Sequence, residues 1–510
     1  MLAKVLSYGL NGLEGYPVLV ETDVYDGLPA YETVGLPDAA VKESKERVRS
    51  AIRNSGFEYP ARRITVNLAP ADMKKEGPMY DLPIALGLLC ASGQVCMDYL
   101  RSMIVMGELS LDGAVRPVCG VLPMLIEAAK KGFRYAVVPA QNAKEAAFVQ
   151  TMKIIPAHNL AQVAAVFNKT LLPEIYPKQN IQTGMPQNAG GNYTDFADIK
   201  GQDAAKRAAV IACAGGHNLL LIGRPGTGKS MIAQAIPGIL PDLSFEEALE
   251  ITKIHSIAGE LQEGIVSARP FRSPHHTATS AALMGGGARI MPGEISLAHH
   301  GVLFMDELPE FPRDVREAMR QPMEDKVVSI ARANQKLTYP ADFMLVASMN
   351  PCPCGYYGGN DHRCKCTHTQ ITNYLNRISG PFLDRIDLQV EMNPVHFEEL
   401  TQTRSGQTSA QIKQQVDTAR AIQRERYRRL GVYCNASLKS AKIAEYGRVS
   451  SESRAYLKSI YEQLGLSARS YDRILLVART IADLAEEKDV LKEHIAEAVR
   501  YRSLDRKYWG

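Results

Sequence analysis

Short apolar runs, each ending in glycine or a polar side chain, mark the middle of this chain. Asn218-Leu-Leu-Leu-Ile222 leads into Gly223, Val302-Leu-Phe-Met305 into Asp306 and Glu307, and Phe343-Met-Leu-Val-Ala-Ser348 toward Asn350. Apolar runs this short, bounded by turn chemistry, predict buried strands. Met231 to Ile236 opens a helix after the first run, and another apolar strand follows Asp387. Farther along, the period changes to that of a helix. Ala410 to Leu430 places Ile412, Val416, Ala419 and either Ile422 or Arg426 near one stripe. Leu466 to Arg473 predicts a helix, and Ser453 to Leu504 a set of them, with Ile474, Leu475, Val477, Ala478 and Ile481 as the apolar positions. There is no tandem repeat and no long low-complexity tract.

A chain of 510 residues suggests about three domains at ~150 residues each. Residues 168–194 predict a linker, with Pro173, Pro177, Gly184, Pro186, Gly190 and Gly191 among Asn and Gln and little apolar periodicity. The expected division is 1–167, the linker, a central core over 195–394, and a basic helical region over 395–510. No apolar run approaches the ~20 residues of a membrane span. The start, Met1-Leu-Ala-Lys-Val-Leu-Ser-Tyr8, lacks a basic segment followed by an apolar core. The expectation is a cytoplasmic protein with no membrane partner. Nine cysteines, an odd and clustered set, argue against a disulfide framework. A net charge of +4 is too small to implicate nucleic acid; its distribution matters more.

Gly223-Arg-Pro-Gly-Thr-Gly-Lys-Ser230 meets the phosphate-loop pattern G-x-x-x-x-G-K-[ST] at every fixed position. The strand before it and the helix after it are the setting that pattern requires. Glycines let backbone N–H groups turn around the phosphates, and the helix N-terminus adds a favourable dipole. Gly223, Pro225, Gly226, Thr227, Gly228, Lys229 and Ser230 are therefore the candidate ATP cradle, with Lys229 on the β- and γ-phosphates and the Ser230 hydroxyl on Mg²⁺. Asp306 stands where a carboxylate can hold the Mg²⁺ shell, and Glu307 where one can orient and activate the attacking water. The plain alternative is a solvated acidic turn. Asn350 can hydrogen-bond the γ-phosphate or that water, or simply turn the chain before Pro351.

Two arginine signals follow. In Asp384-Arg385-Ile-Asp387, Arg385 lies between acids. It can form a structural ion pair, or stabilise the phosphoryl group on a neighbouring subunit, a role worth ~10³–10⁵ in rate. Arg469 and Arg473 share a helix face; Arg469 is the chosen candidate for the phosphates. Arg269-Pro-Phe-Arg-Ser-Pro-His-His-Thr277, Gly293-Glu-Ile-Ser-Leu-Ala-His-His-Gly301 and Leu303-Phe-Met-Asp-Glu-Leu-Pro-Glu-Phe311 resemble the magnesium-chelatase-like branch of the AAA+ ATPases. The whole chain resembles the YifB/ComM family, whose best-known member is a DNA branch-migration helicase of natural transformation. The resemblance implies an α/β P-loop motor domain with a helical lid. It also implies a hexameric homo-oligomer, Arg385 as a finger acting in trans, and Arg469 as a second sensor that acts across the subunit boundary too.

The same resemblance makes residues 265–295, with Gly285-Gly-Gly287, an insertion in the second motor helix. It makes Lys326 to Ala341 a β-hairpin whose tip runs from Arg332 to Lys336. Such insertions point at the pore of related rings, so Arg332 and Lys336 become candidate phosphate contacts, the alternative being a solvated basic turn. Cys352, Cys354, Cys364 and Cys366 form a C-x-C…C-x-C set flanked by His362 and His368. Four thiolates can close a tetrahedral Zn²⁺ site; free or redox-variable thiols are the alternative. For His275-His276 and His299-His300, hydrogen bonding within the insertion is favoured over metal binding.

In the N-terminal region, Gly35 to Ser44, Arg63 to Pro70, Lys74 to Asp81 and Gly107 to Gly113 resemble a Lon-protease-like, ribosomal S5-like α+β domain. Met79 stands where that family carries its serine, and Leu122 and Met124 lie in the segment that supplies its lysine. Neither can activate a nucleophile. The fold is expected without hydrolysis, and Ser44 and Ser110 are not substitutes. Arg47, Arg49, Arg53, Arg62, Arg63, Lys74 and Lys75 are consistent with a DNA-binding or ring-assembly surface, or with a solvated face.

From Arg404 to Arg448 there are ten basic side chains against three acidic ones, an electrostatic footprint for nucleic acid or for acidic neighbours in a ring. Arg424 and Arg428 are the candidate DNA contacts. The expected function is an ATP- and Mg²⁺-dependent ring motor on single-stranded or branched DNA. The alternative is a protein-remodelling or chelatase-type ATPase acting on a protein partner.

Overall fold

The computed structural model describes residues 1–96, 102–179, 193–261, 264–287, 290–332, 335–358, 363–395, 397–398, 406–464 and 466–509. Residues 180–192 of the expected linker, including Gly184, Pro186, Gly190 and Gly191, lie outside them. The chain forms two compact units: residues 1–187 with 245–267, and residues 188–244 with 268–510.

The first unit is built on a seven-stranded sheet of order β3-β4-β2-β1-β5-β6-β7. Its strands are β1 (Leu2–Asn11), β2 (Glu14–Tyr25), β3 (Ala30–Val34), β4 (Arg63–Ala69), β5 (Met103–Val105), β6 (Tyr135–Pro139) and β7 (Lys153–Ala157). β1, β2 and β4 pair antiparallel, and the remaining pairs are parallel. The Asp81–Ala91 helix is buried along its whole length. The Phe245–Ala258 helix also belongs here. It buries Ala248, Ile251, Ile254 and Ile257, and Ser256 accepts from the Gly120 N–H at 3.0 Å and donates to Glu145 at 2.8 Å. The sequence division ran this helix with the ATPase core, because its apolar spacing does not say which unit will cover it.

The second unit holds five parallel strands in the order β9-β10-β13-β8-β14. They are β8 (Leu219–Gly223), β9 (Phe271–Arg272), β10 (Val302–Met305), β13 (Met344–Met349) and β14 (Leu388–Met392). A separate hairpin pairs β11 (Val327–Arg332) with β12 (Gln335–Pro340). Both faces of the large sheet are covered. Leu219, Leu221, Val302, Phe304, Val346 and Leu388 join one core with the Asp203–Gly215, Ser409–Tyr427 and Ala468–Leu484 helices. Leu220, Ile222, Leu303, Met305, Leu345 and Ala347 join the other. Burial on both sides is why these strands read as unbroken apolar runs. Among the described residues, no helix is long and apolar enough to cross a membrane.

Candidate nucleotide site

The loop Gly223–Ser230 leaves the tip of β8, a strand flanked on both sides, and leads into the Lys229–Ala235 helix. Gly226 and Gly228 sit at φ +80° and +90°, which an L side chain resists. The Lys229 ammonium is held by the Gly223 carbonyl at 2.6 Å, the Arg224 carbonyl at 3.0 Å and the Asn350 amide oxygen at 3.1 Å. Burial lowers its pKa, and Asp306 and Glu307 pull the other way. The buried Thr227 hydroxyl donates to the Arg224 carbonyl at 2.9 Å. Gln202, missed in the sequence, donates to the Thr227 carbonyl at 3.2 Å and to the Asn393 carbonyl at 2.6 Å. That ties the loop to the chain beyond β14.

The acid pair sits at the end of β10, beside the tip of β13. Ser230 donates to Asp306 at 3.2 Å, the arrangement two ligands of one Mg²⁺ would have. Ser348, also missed, donates to the other Asp306 oxygen and accepts from the Glu307 N–H at 3.1 Å. A hydroxyl next to the predicted Asn350 was its only sequence signal. Glu307 is exposed, in left-handed backbone at φ 55°, ψ 48°. Its carboxylate lies 3.9 Å from His276. Gly223, Lys229, Ser230, Asp306 and Asn350 thus converge, with Glu307 at the edge.

Arg385 and Arg469 meet on one carboxylate. Arg385 pairs with Glu324 and donates to the Pro381 carbonyl at 2.6 Å. Arg469 reaches the other Glu324 oxygen at 2.8 Å. Both arginines therefore rest on an acid that sequence reading passed over, since a lone Glu in an exposed helix carries no signal. Arg473, the other member of the expected pair, is 3.0 Å from buried Asp387. Burial alone would raise the Asp387 carboxyl; Arg473, His217 and the Asn218 N–H outweigh it and hold the pKa far below the usual range. Asn218 donates to the Arg385 carbonyl at 2.9 Å and accepts from the Leu345 N–H at 2.9 Å.

The other expected residues fall as follows. The hairpin pairing continues to Arg332↔Gln335, so Arg332 and Lys336 belong to strands rather than to a five-residue tip. Lys336 is exposed, and the Arg332 side chain lies outside the described residues. Arg424 and Arg428 are exposed, whereas Arg426 makes a two-point pair with buried Asp483 and Arg420 donates to the Cys213 carbonyl at 2.9 Å. Two of the ten basic side chains are therefore structural. His275 meets Thr277 at 2.8 Å, and His299 accepts from the Asp342 N–H at 2.9 Å. Cys352, Cys354, Cys364 and Cys366 converge, their sulfurs all within 4.8 Å of one another; His362 lies outside the described residues.

In the first unit, Met79, Leu122 and Met124 are buried apolar side chains. Ser44 is buried beside Tyr31, and Ser110 bonds Asp112 and the Ala114 carbonyl. Two members of the expected basic surface are not on it. Arg47 forms a two-point pair with fully buried Asp81, at 2.7 and 3.0 Å, and Lys75 is buried with its ammonium on the Met73 carbonyl at 2.8 Å. Asp81 opens an apolar helix and needs a cation there.

A phosphate loop on an inner strand of a parallel sheet, acids on the next strand but one and an amide on the strand between define an AAA+-type ATPase site, one that uses ATP and Mg²⁺. Three family descriptions match the chain: magnesium chelatase, subunit ChlI, over residues 195–400; subunit ChlI of Mg-chelatase over residues 20–142; and magnesium chelatase, subunit ChlI C-terminal, over residues 406–502. The chain is 46% identical to YifB of Escherichia coli strain K12, over 97% of its own length and 96% of that protein. It is 44% identical to the competence protein ComM of Haemophilus influenzae, over 99% and 98%. The magnesium-chelatase 67 kDa subunit of Chlorobaculum tepidum is 31% identical over 31% of this chain and 23% of that protein. The chain belongs to the YifB/ComM family, with the magnesium-chelatase type of AAA+ domain.

Proposed function

We propose that this chain is the subunit of an ATP-driven ring that moves along single-stranded or branched DNA in the manner of a branch-migration helicase. The observation that carries the reading is the near full-length match to a competence protein, joined to an ATP site whose parts converge. In this reading Lys229 binds the β- and γ-phosphates, and Ser230 and Asp306 hold Mg²⁺. Glu307 orients water, and Asn350 senses the γ-phosphate. Arg385 and Arg469 share Glu324 rather than the phosphate loop, which favours their action on a neighbour's nucleotide. Hexamer closure would then draw them from Glu324 toward that nucleotide. Exposed Lys336, Arg424 and Arg428 supply phosphate contacts. The first unit acts as a Lon-like platform without hydrolysis, because buried Met79 and Leu122 replace the nucleophile and its activator. The helices after Ser409 act as basic region and lid, and the protein works in the cytoplasm.

The test is ATP hydrolysis by the full chain with and without forked or single-stranded DNA. Stimulation that fades with added salt supports the DNA reading. Stimulation by a protein partner and by no DNA favours the chelatase-type alternative, which the matches to magnesium-chelatase subunits keep in view.

A further inference from the structure

The four-cysteine cluster is not used by the ATPase chemistry, yet it stands against it. Cys352 follows Asn350 by two residues, and all four sulfurs belong to the second unit. The Cys352 sulfur is 3.3 Å from that of Cys354 and 3.7 Å from that of Cys364; Cys354 and Cys364 are 3.6 Å apart. With metal–sulfur bonds of about 2.3 Å, the edge of a tetrahedral tetrathiolate is about 3.8 Å. The 3.6 and 3.7 Å separations fit that edge, the 3.3 Å one is shorter than it, and all are far longer than the ~2.05 Å of a disulfide. None of the four is in a disulfide. The backbone N–H groups of Tyr356, Tyr357 and Lys365 lie near the Cys352 and Cys354 sulfurs and favour their thiolate forms. Such N–H donors orient and stabilise thiolates that ligate a metal.

The turn just after the first C-x-C pair lies on the phosphate loop. Gly355 is buried at φ +84°, and a Cβ there would stand 2.7 Å from Pro225 Cδ. The Arg224 guanidinium lies 5.8 Å from the Tyr356 ring centroid. Glycine at 355 is thus required by its backbone and by the close approach of Pro225. Anything that fixes Cys352 and Cys354 also fixes the wall of the phosphate loop and the chain just after Asn350.

We propose that Cys352, Cys354, Cys364 and Cys366 bind one Zn²⁺ in a closed structural site, and that this ion clamps the Gly355–Tyr356 turn against Arg224 and Pro225 so that the loop is shaped for ATP. Each sulfur gives up a proton to solvent as it ligates, and no redox change is involved. The clamp half of the proposal rests on the nucleotide reading above; the metal half does not.

The experiment uses the full chain, purified without chelator. Metal analysis should find about one zinc per chain, and Cys354→Ser with Cys366→Ser should bring it below about a tenth of an equivalent, while Cys434→Ser leaves it unchanged. Because the double variant can misfold, wild-type protein stripped of metal and refilled with Co²⁺ is measured as well. It should show thiolate-to-cobalt charge transfer and tetrahedral d–d bands. Less than a tenth of an equivalent of zinc together with no cobalt–thiolate band, or a full equivalent of iron in place of zinc, overturns the assignment. Stripping zinc should weaken a fluorescent ATP analogue by about fivefold or more, reversed on refilling. An unchanged Kd overturns the clamp alone. Zinc-loaded protein that binds no analogue points instead to failure of the nucleotide reading.

Discussion

Glu307 is where backbone strain and the proposed chemistry coincide, and the two can be separated by substitution. Its backbone is left-handed, at φ 55° and ψ 48°, a conformation that costs an L residue ~1–2 kcal/mol. The side chain offsets little of that. Its one ionisable partner within 4 Å among the described residues is His276, at 3.9 Å with both groups well exposed, a contact worth ~0–0.5 kcal/mol. Glu307→Gly removes the strain but gives the unfolded chain ~0.4–1 kcal/mol of extra freedom. The net expectation is a gain of ~0.5–1 kcal/mol. Glu307→Gln keeps the backbone and the strain, so its stability should match the wild type. The assay is calorimetry of nucleotide-free protein, following the transition of the unit that contains β10. Glu307→Gly should melt about 1–3 °C above Glu307→Gln. Both should lose at least about 10²-fold in ATP hydrolysis if the carboxylate activates water. A Glu307→Gly protein that hydrolyses ATP normally refutes the catalytic role and leaves a solvated acidic turn. One that melts below Glu307→Gln refutes the strain argument.

Lys229→Ala should abolish binding of a fluorescent ATP analogue, since the Gly223 and Arg224 carbonyls and the Asn350 amide oxygen that hold its ammonium supply no positive charge in its place; titration checks it. Arg385→Ala should stop hydrolysis by assembled protein while single chains still bind the analogue, because its contacts are Glu324 and Pro381; loss of binding by single chains contradicts action in trans. Asn218→Ala leaves the Arg385 carbonyl and Leu345 N–H without their partner and should cost ~2–4 kcal/mol in a urea titration. Asp387 has a folded pKa held below its unfolded value of about 3.9. Its contribution is present above that value and is lost as pH falls through the folded pKa. Asp387→Asn should therefore flatten the acid side of the stability profile below about pH 4, measured by denaturant titration at stepped pH.

How much could be read in the sequence followed burial and fixed spacing. The strands around the phosphate loop were legible because both their faces are covered, which leaves apolar runs that no helix period explains. The loop was legible because its glycines, lysine and serine are contiguous. The Ile412, Val416 and Ala419 stripe was legible because a single face of that helix is buried. What escaped depends on partners distant in sequence. Glu324 gains its meaning from Arg385 and Arg469, and Gln202 from Thr227 and Asn393. The basic count from Arg404 to Arg448 misled in part, because a sum of charges cannot show that Arg426 is committed to Asp483. Arg47 was assigned to a surface for the same reason, its buried partner Asp81 being 34 residues away.

Asn218 explains why the phosphate loop and Arg385 should be treated as one mechanical piece. Its carbonyl accepts from the Asp387 and Leu388 N–H groups at 3.1 and 3.0 Å, its own N–H goes to the Asp387 carboxylate at 2.9 Å, and its amide bridges Leu345 and the Arg385 carbonyl. The start of β8 is thereby fixed to β13, β14 and the Arg385 backbone at once. The other end of β8 is Gly223, where the phosphate loop begins. A strand hydrogen-bonded on both sides over its length does not bend easily, so a displacement of the loop is passed to the Arg385 backbone as a rigid shift rather than absorbed. Arg385 itself is held by Glu324, whose carboxylate is half exposed while the guanidinium is largely covered, and this contact is a single side-chain pair rather than a backbone ladder. The stiff part of the path is the strand and the soft part is the ion pair. Nucleotide-dependent movement would therefore appear at Glu324, where Arg469 is held as well.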